Sequence, residues 1–312
     1  MAIFQKVRYT DRNESGIDER LSDRMSGVDR ENGKTGFCGE TGEIRAARAA
    51  LHMWEEPCIS GKEGSGTVFF TGCTLRCVFC QNHEIAGSKV GKVISEERLG
   101  EIFLELQGKG ANDINLVTPT HFVPQIIRAL QSAKEQGMYL PVVYNTGGYE
   151  RVETLKMLDG LVDIYLPDFK YLNTDHAKKY SMAEDYPEVA KAAIAEMVRQ
   201  AGKPVFDERG MMKRGVIVRH LLLPGCLADG KRVVKYLHET YGNRIYMSLM
   251  SQYTPLESLD AVKYPELNRK VPEYAYEKLV DYAISLGVMQ AFIQEGDTAK
   301  ESFIPPFTLE GV

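Results

Sequence analysis

The sequence predicts an α/β fold built on parallel strands. Three observations carry this. Six short, apolar, β-prone runs recur: TVFFT (67–71), INLV (114–117), LPVVYN (140–145), LVDIYL (161–166), GVIVRHLLL (215–223) and RIYMSLM (244–250). After each comes a segment with apolar residues at helical spacing, and strands that alternate with helices pair in parallel through right-handed crossovers. Polar residues gather just past the end of every run, where α/β folds carry their functional loops. A doubly wound sheet satisfies this pattern, and so does a barrel, complete or partial.

The helices follow in order. SEERLGEIFLELQGKG (95–110) has Ser95 as its N-cap, acids in its first turn and glycines at its end. VPQIIRALQSAKEQG (123–137) is next, then a short helix over 150–158, PEVAKAAIAEMVRQAG (187–202), DGKRVVKYLHETYG (229–242) and PEYAYEKLVDYAISLG (272–287). VMQAFIQ (288–294) reads as one more strand. Ahead of all these, residues 1–40 are rich in charged and small residues without periodicity, which predicts an extended arm. TGEIRAARAALHMW (41–54) reads as a helix from its alanines and apolar spacing. The division is therefore an arm and helix over 1–60, then a strand–helix domain with a C-terminal extension over 61–312.

Hydrophobic residues make up 44% of the 312, enough for a substantial core. The net charge of −5 and the lack of a long basic run leave no electrostatic footprint for nucleic acid. No stretch approaches the roughly 20 apolar residues of a membrane span, and MAIFQKVRYTDRNESG has no apolar signal-peptide region. A soluble, cytoplasmic protein is expected, whose six cysteines are thiols or metal ligands rather than disulfides.

Three of the six crowd into TGCTLRCVFCQNHE (71–84), as Cys73, Cys77 and Cys80. A closed zinc site wants four ligands, as does a fully capped iron–sulfur cube. His83 could complete a zinc site; Cys38, Cys58 and Cys226 are single and scattered. Three thiolates on a cube instead leave one iron open to a substrate or cofactor, and Leu75, Val78 and Phe79 would limit solvent access. The non-catalytic reading is an electron carrier or zinc scaffold, which has no need of six strand–helix units around the loop.

The other strand ends carry Thr118-Pro119-Thr120-His121, Asn145-Thr146-Gly147-Gly148, Asp168-Phe169-Lys170 and Ser251-Gln252-Tyr253. Asp168 and Lys170 read as a site pair or as a surface ion pair. His121 reads as a helix cap or as an acid–base group. Glu55 and Glu56 read as a brace at the barrel mouth, outside the chemistry.

Cys73-x3-Cys77-x2-Cys80, with aromatic Phe79 before the last cysteine, resembles the signature of the radical S-adenosylmethionine (radical SAM) superfamily. HMWEEPCISGKEGSGTVFFTGCTLRCVFCQNHEI (52–85) narrows this. With INLVTPTHFVPQI, VVYNTGGYE, VDIYLPDFKY and VIVRHLLLPG, it is similar to PflX-type proteins related to pyruvate formate-lyase activating enzyme. The resemblance runs from about residue 36 to 255.

It implies a partial (βα)6 TIM-like barrel with an N-terminal extension, a 4Fe–4S cluster on Cys73, Cys77 and Cys80, and S-adenosylmethionine chelating the open iron. It implies reductive cleavage to a 5′-deoxyadenosyl radical for hydrogen abstraction from a glycyl radical enzyme, a peptide or a small molecule. An electron donor such as flavodoxin or ferredoxin would serve it. By position, Phe79 and Gln81 match residues that touch the adenosyl group. Asp168 and Lys170 match a cofactor-contacting Asp-Leu-Lys triplet, Asn145 lies in a matching turn, and Arg219 lies where an arginine approaches the cofactor. Thr118 and Thr120 stand in place of a Gly-Gly-Glu that binds the methionine amino group, and Gln252 in place of a histidine. In the arm, Ser22 and Ser26 stand where relatives carry cysteines of a second set, so Cys38 is expected as a packed or free thiol.

Overall fold

The computed structural model describes residue 30 and residues 33–87, 90–294 and 305–312. Most of the expected arm, with Ser22 and Ser26, lies outside the described residues. The chain runs through β1 (Ile44–His52), α1 (Pro57–Ser60), β2 (Ser65–Phe70), α2 (His83–Ala86), β3 (Lys92–Ile94), α3 (Glu96–Gly108), β4 (Ile114–Val117) and α4 (Val123–Glu135). It continues with β5 (Val142–Thr146), α5 (Val152–Lys156), β6 (Ile164–Pro167), α6 (Thr174–Ser181), α7 (Tyr186–Ala201), β7 (Val205–Phe206) and β8 (Met212–Leu221). Last come α8 (Leu227–Tyr241), β9 (Tyr246–Met250), α9 (Glu273–Ser285) and β10 (Ala291–Ile293).

One open sheet joins them in the order β10-β9-β8-β6-β5-β4-β2-β1-β3, with β7 paired to β8 alone. The run from β2 to β10 is parallel throughout. β10 and β3 stand at the two edges, so the sheet curls without closing. This is the partial barrel the sequence leads to, and the runs read as strands pair in sequence order.

One element differs. TGEIRAARAALHMW was expected as a helix, but Ile44–His52 is β1, antiparallel to β2 from Ala46↔Phe70 to His52↔Ser65. Alanine and arginine favour a helix only locally. Here the small alanines let the strand lie close against its neighbours, and Ala46, Ala47 and Ala49 are buried. The free edge of β1 is covered further by the chain's last residues. Leu309 N–H donates to Ala47 O (3.1 Å), Ala49 N–H donates to Glu310 O (2.8 Å), and Arg48 pairs with Glu310 (2.7 Å).

The parallel strands are buried on both faces, as such strands require. On the outer face Leu116, Tyr144, Tyr165 and Val218 join the core shared with the helices. On the other, Val143, Ile164, Leu166 and Ile217 pack with Cys58 and Ile59 of α1. α1 thus plugs the barrel, and β1 leads into it at the end where β2 begins, opposite the cysteine loop. Ser95 caps α3 as expected, accepting from Arg98 N–H at 3.1 Å.

Candidate functional site

β2 ends at Phe70, and Gly72 turns the chain into the cysteine loop with φ of +79°. A Cβ there would meet Cys38 O at 2.8 Å, so glycine is needed both for the turn and for the close approach of the preceding segment. That segment also straps the loop directly: Glu40 accepts from Thr71 Oγ1 (2.7 Å), and the Arg76 guanidinium donates to Cys73 O (2.8 Å) and to Phe37 O.

Cys73, Cys77 and Cys80 are free thiols. Burial pushes Cys73 up to about 11, with the Cys77 sulfur adding to it, and Cys80 up to about 12, with both neighbouring sulfurs adding. Cys77 is raised by burial too, against the opposing pull of the Lys170 ammonium and a hydrogen bond from Ser181. The three sulfurs therefore sense one another's charge and share one cation. A thiolate set in such a place needs a metal centre to hold it ionised. Among the described residues no three His, Cys, Asp or Glu groups close on a point that would hold a lone metal ion. His83 is exposed at the start of α2.

The predicted strand-end residues come together beside this loop. Lys170 pairs with Asp168, and its Nζ lies 5.9 Å from the centre of the Phe79 ring. Asp168 accepts from Arg219 Nε at 3.0 Å. Burial works against the Asp168 charge, yet Lys170 and Arg219 prevail and hold its carboxyl below the usual range. Burial likewise opposes the Lys170 charge, and Asp168 outweighs it, so the ammonium stays protonated. The pair is part-buried among the strand-end groups and is not an exposed surface pair. Arg219 also donates to Asn145 Oδ1 (2.6 Å) and Glu55 Oε2 (3.3 Å), so its nitrogens hold the group together.

The other candidates are placed around this centre. Gln81 Nε2 donates to Gln252 O at 3.1 Å, which joins the cysteine loop to the end of β9. Thr118 holds φ of 58° at the end of β4, a left-handed conformation that costs a β-branched residue energy and marks functional turns. Thr120 Oγ1 donates to Glu150 Oε1 (2.6 Å) rather than to the Asp168 group. The His121 side chain caps no helix. It is buried, its Nε2 lies 2.6 Å from Thr71 O, and burial lowers it to about 3, so it stays neutral and braces the cysteine loop.

Sequence reasoning missed several members. Glu55 was expected only as a brace at the barrel mouth, and its hold on Arg219 is the part that went unread. It reaches in from the α1 end and accepts from Asn115 (3.2 Å), Asn145 (3.1 Å) and Arg219. Burial raises its pKa against the lowering pull of Arg219. Asn115, a polar residue inside an apolar run, was the signal that could have found this interior network. Glu150 gathers Thr120, Thr146 and Tyr144. Gln294 donates to Gln252 Oε1 at 2.8 Å.

Residues 67–225 match the Radical SAM superfamily, which is half of the chain. The chain belongs to this family. The matched span opens in β2, takes in the cysteine loop and closes just after β8, so it includes every site residue predicted from the sequence except Gln252. Radical SAM membership implies S-adenosylmethionine and a 4Fe–4S cluster as cofactors.

An uncharacterized protein of Methanocaldococcus jannaschii is 28% identical over 82% of this chain and 71% of its own. Pyruvate formate-lyase-activating enzymes are more distant. That of Streptococcus mutans is 25% identical over 54% of this chain and 62% of its own. That of Clostridium pasteurianum is 26% identical over 64% and 79%. Among solved structures, Streptococcus suis SuiB bound to S-adenosylmethionine superposes with a TM-score of 0.50 at 12% identity, over 72% of this chain and 48% of SuiB. This radical SAM chain thus spans about half the length of SuiB, and that likeness shows the fold alone.

Proposed function

We propose that this protein is a radical SAM enzyme whose Cys73, Cys77 and Cys80 hold a 4Fe–4S cluster with one iron left for S-adenosylmethionine. The observation that carries this is the meeting of three free, mutually interacting thiols with the Asp168–Lys170–Arg219–Asn145 group at the strand ends. The donor set fits: three soft thiolate ligands suit iron–sulfur chemistry, and a nearby ammonium offsets part of their negative charge. The chemistry such a centre supplies is one-electron cleavage of the sulfonium carbon–sulfur bond, giving methionine and a 5′-deoxyadenosyl radical that removes a hydrogen atom from substrate.

The chain's own residues bind and orient. Lys170 offers its ammonium to the methionine carboxylate, and Asp168 and Asn145 offer acceptors to amino and ribose groups. Arg219 holds both in place and would approach the cofactor from β8. Thr118 and Thr120 present hydroxyls and carbonyls to the amino group. Phe79 and Gln81 would flank the adenosyl group, and Gln252 would close that side from the end of β9. Leu75 and Phe79 are buried and keep water from the centre.

The hydrogen donor is a polypeptide, a glycyl radical enzyme in particular. The likeness to two pyruvate formate-lyase-activating enzymes supports this. A flavodoxin or ferredoxin supplies the electron, and the cytoplasm is the compartment, since six free thiols suit a reducing one.

The test is anaerobic reconstitution with iron and sulfide, then addition of S-adenosylmethionine and a strong one-electron reductant. 5′-Deoxyadenosine and methionine are expected in equal amounts. No 5′-deoxyadenosine from a fully loaded protein overturns the reading.

A further inference from the structure

Resting on the reading that Cys77 is a cluster ligand, we propose that Ser181, backed by Tyr171, is a positioning residue that donates a hydrogen bond to the Cys77 sulfur and sets the reduction potential of the centre. Ser181 lies outside the strand-end loops, and Tyr171 directly follows Lys170 in the loop after β6. They come from α6 and the segment ahead of it.

The geometry is fixed from two sides. The last turn of α6 lies along the cysteine loop, and two backbone bonds bracket Cys77. Val78 N–H donates to Tyr180 O at 2.9 Å, and Arg76 N–H donates to Ser181 O at 3.3 Å. Met182 follows in the left-handed region, with φ of 54°, and ends the helix there. The Ser181 hydroxyl is thereby held 2.9 Å from Cys77 Sγ. Behind it, the Tyr171 hydroxyl lies 3.0 Å from Ser181 Oγ. Ser181 is fully buried and Tyr171 is 1% exposed, so bulk water does not compete for either hydroxyl.

A metal-held thiolate has lost its proton, and this fixes the direction of the chain. The sulfur can only accept, so Ser181 O–H donates to it. Ser181 Oγ then accepts from Tyr171 O–H, which has no other hydrogen-bond partner among the described residues. Each donor polarises the next, so Tyr171 strengthens the bond that Ser181 makes. Cys73 differs: its sulfur accepts from the backbone N–H of Leu75 at 3.4 Å, which no side chain other than proline's removes. At Cys77 the donor is a side chain, and sequence can tune it.

A hydrogen bond to a ligand sulfur draws electron density from it and favours the reduced state of the centre. Without Ser181 the extra electron is held less well. The cost falls on the reduced form, and binding of the metal itself is left to the three cysteines.

The experiment compares wild type with Ser181→Ala and Tyr171→Phe after anaerobic reconstitution with iron and sulfide. Iron per chain is measured first. The midpoint potential is then read by paramagnetic resonance during a redox titration without S-adenosylmethionine. Equal iron is expected in all three proteins, with the midpoint shifted to more negative potential in Ser181→Ala and by a smaller amount, in the same direction, in Tyr171→Phe. An unchanged or more positive midpoint in loaded Ser181→Ala overturns the proposal and leaves the cluster reading standing. If Ser181→Ala takes up little iron, Tyr171→Phe decides: a negative shift supports the proposal and no shift overturns it. Wild type that takes up no iron overturns the cluster reading and this proposal with it.

Discussion

Asp113 sits at the start of β4, where its carboxylate accepts from Ser65 Oγ at 2.6 Å. Burial pushes its pKa from the usual 3.8 up to about 8, and the single hydroxyl does not offset that. The sign follows by linkage. Between these two values the unfolded chain has released the proton and the folded chain still holds it. Stability therefore falls as pH rises through that window, by up to about 1.4 kcal/mol per pH unit. The contribution is complete below the lower value and lost above the upper one. Asp113→Asn removes the slope. Denaturant unfolding of both proteins from pH 5 to 8 should show the variant gaining on wild type as pH rises; parallel curves would mean that Asp113 is ionised in the fold. At the other end of the strands, Gly148 shows how tightly the site is built. With φ of +77° it would place a Cβ 2.1 Å from Asp168 O, so the glycines after β5 do more than turn the chain. The cysteines were legible from their spacing, and Asp168 and Lys170 from their place at a strand end. Glu55 was legible as a brace but not as the partner of Arg219, because only folding brings it across the barrel to that guanidinium.

The elements divide by what shaped them. The parallel strands and α3, α4, α7, α8 and α9 are visible in sequence because burial on both faces demands continuous apolar runs in the strands and apolar residues at helical period in the helices. β1 was hidden, since IRAARAALH has the composition of a helix and its strand state comes from pairing with β2. α6 was hidden too, as TDHAKKYS is polar and short, yet it carries Ser181 to the cysteine loop. The C-terminal segment had no periodicity to find. Its anchor is Phe307, which meets Phe69 of β2 edge-on with ring centres 5.5 Å apart. Such a contact contributes about 0.5–1.5 kcal/mol beyond area burial. Phe307→Ala should lower stability by about 1–2 kcal/mol in denaturant unfolding, and it should loosen the β1 edge in hydrogen exchange at Ala49, whose N–H the same segment caps. Unchanged protection at Ala49 would mean that the segment holds without its aromatic anchor.

At the scale of the whole molecule, one open sheet collects six strand-end loops on one side and leaves α1 to plug the other. That division puts the thiols, the Asp168–Lys170 ion pair and the amide contacts of Gln81 and Gln252 on one mouth, while Asp113 lies at the far end. Among the described residues no helix is long and apolar enough to cross a membrane. The central claim is that three cysteines leave a coordination place that S-adenosylmethionine fills. Electron–nuclear double resonance on the reduced, iron-loaded protein tests it most directly, using S-adenosylmethionine with nitrogen-15 in its amino group. A nitrogen-15 coupling is expected to appear on adding the labelled compound and to be absent without it. A loaded centre with no such coupling, or one that couples to a histidine nitrogen such as that of His83, would contradict the claim.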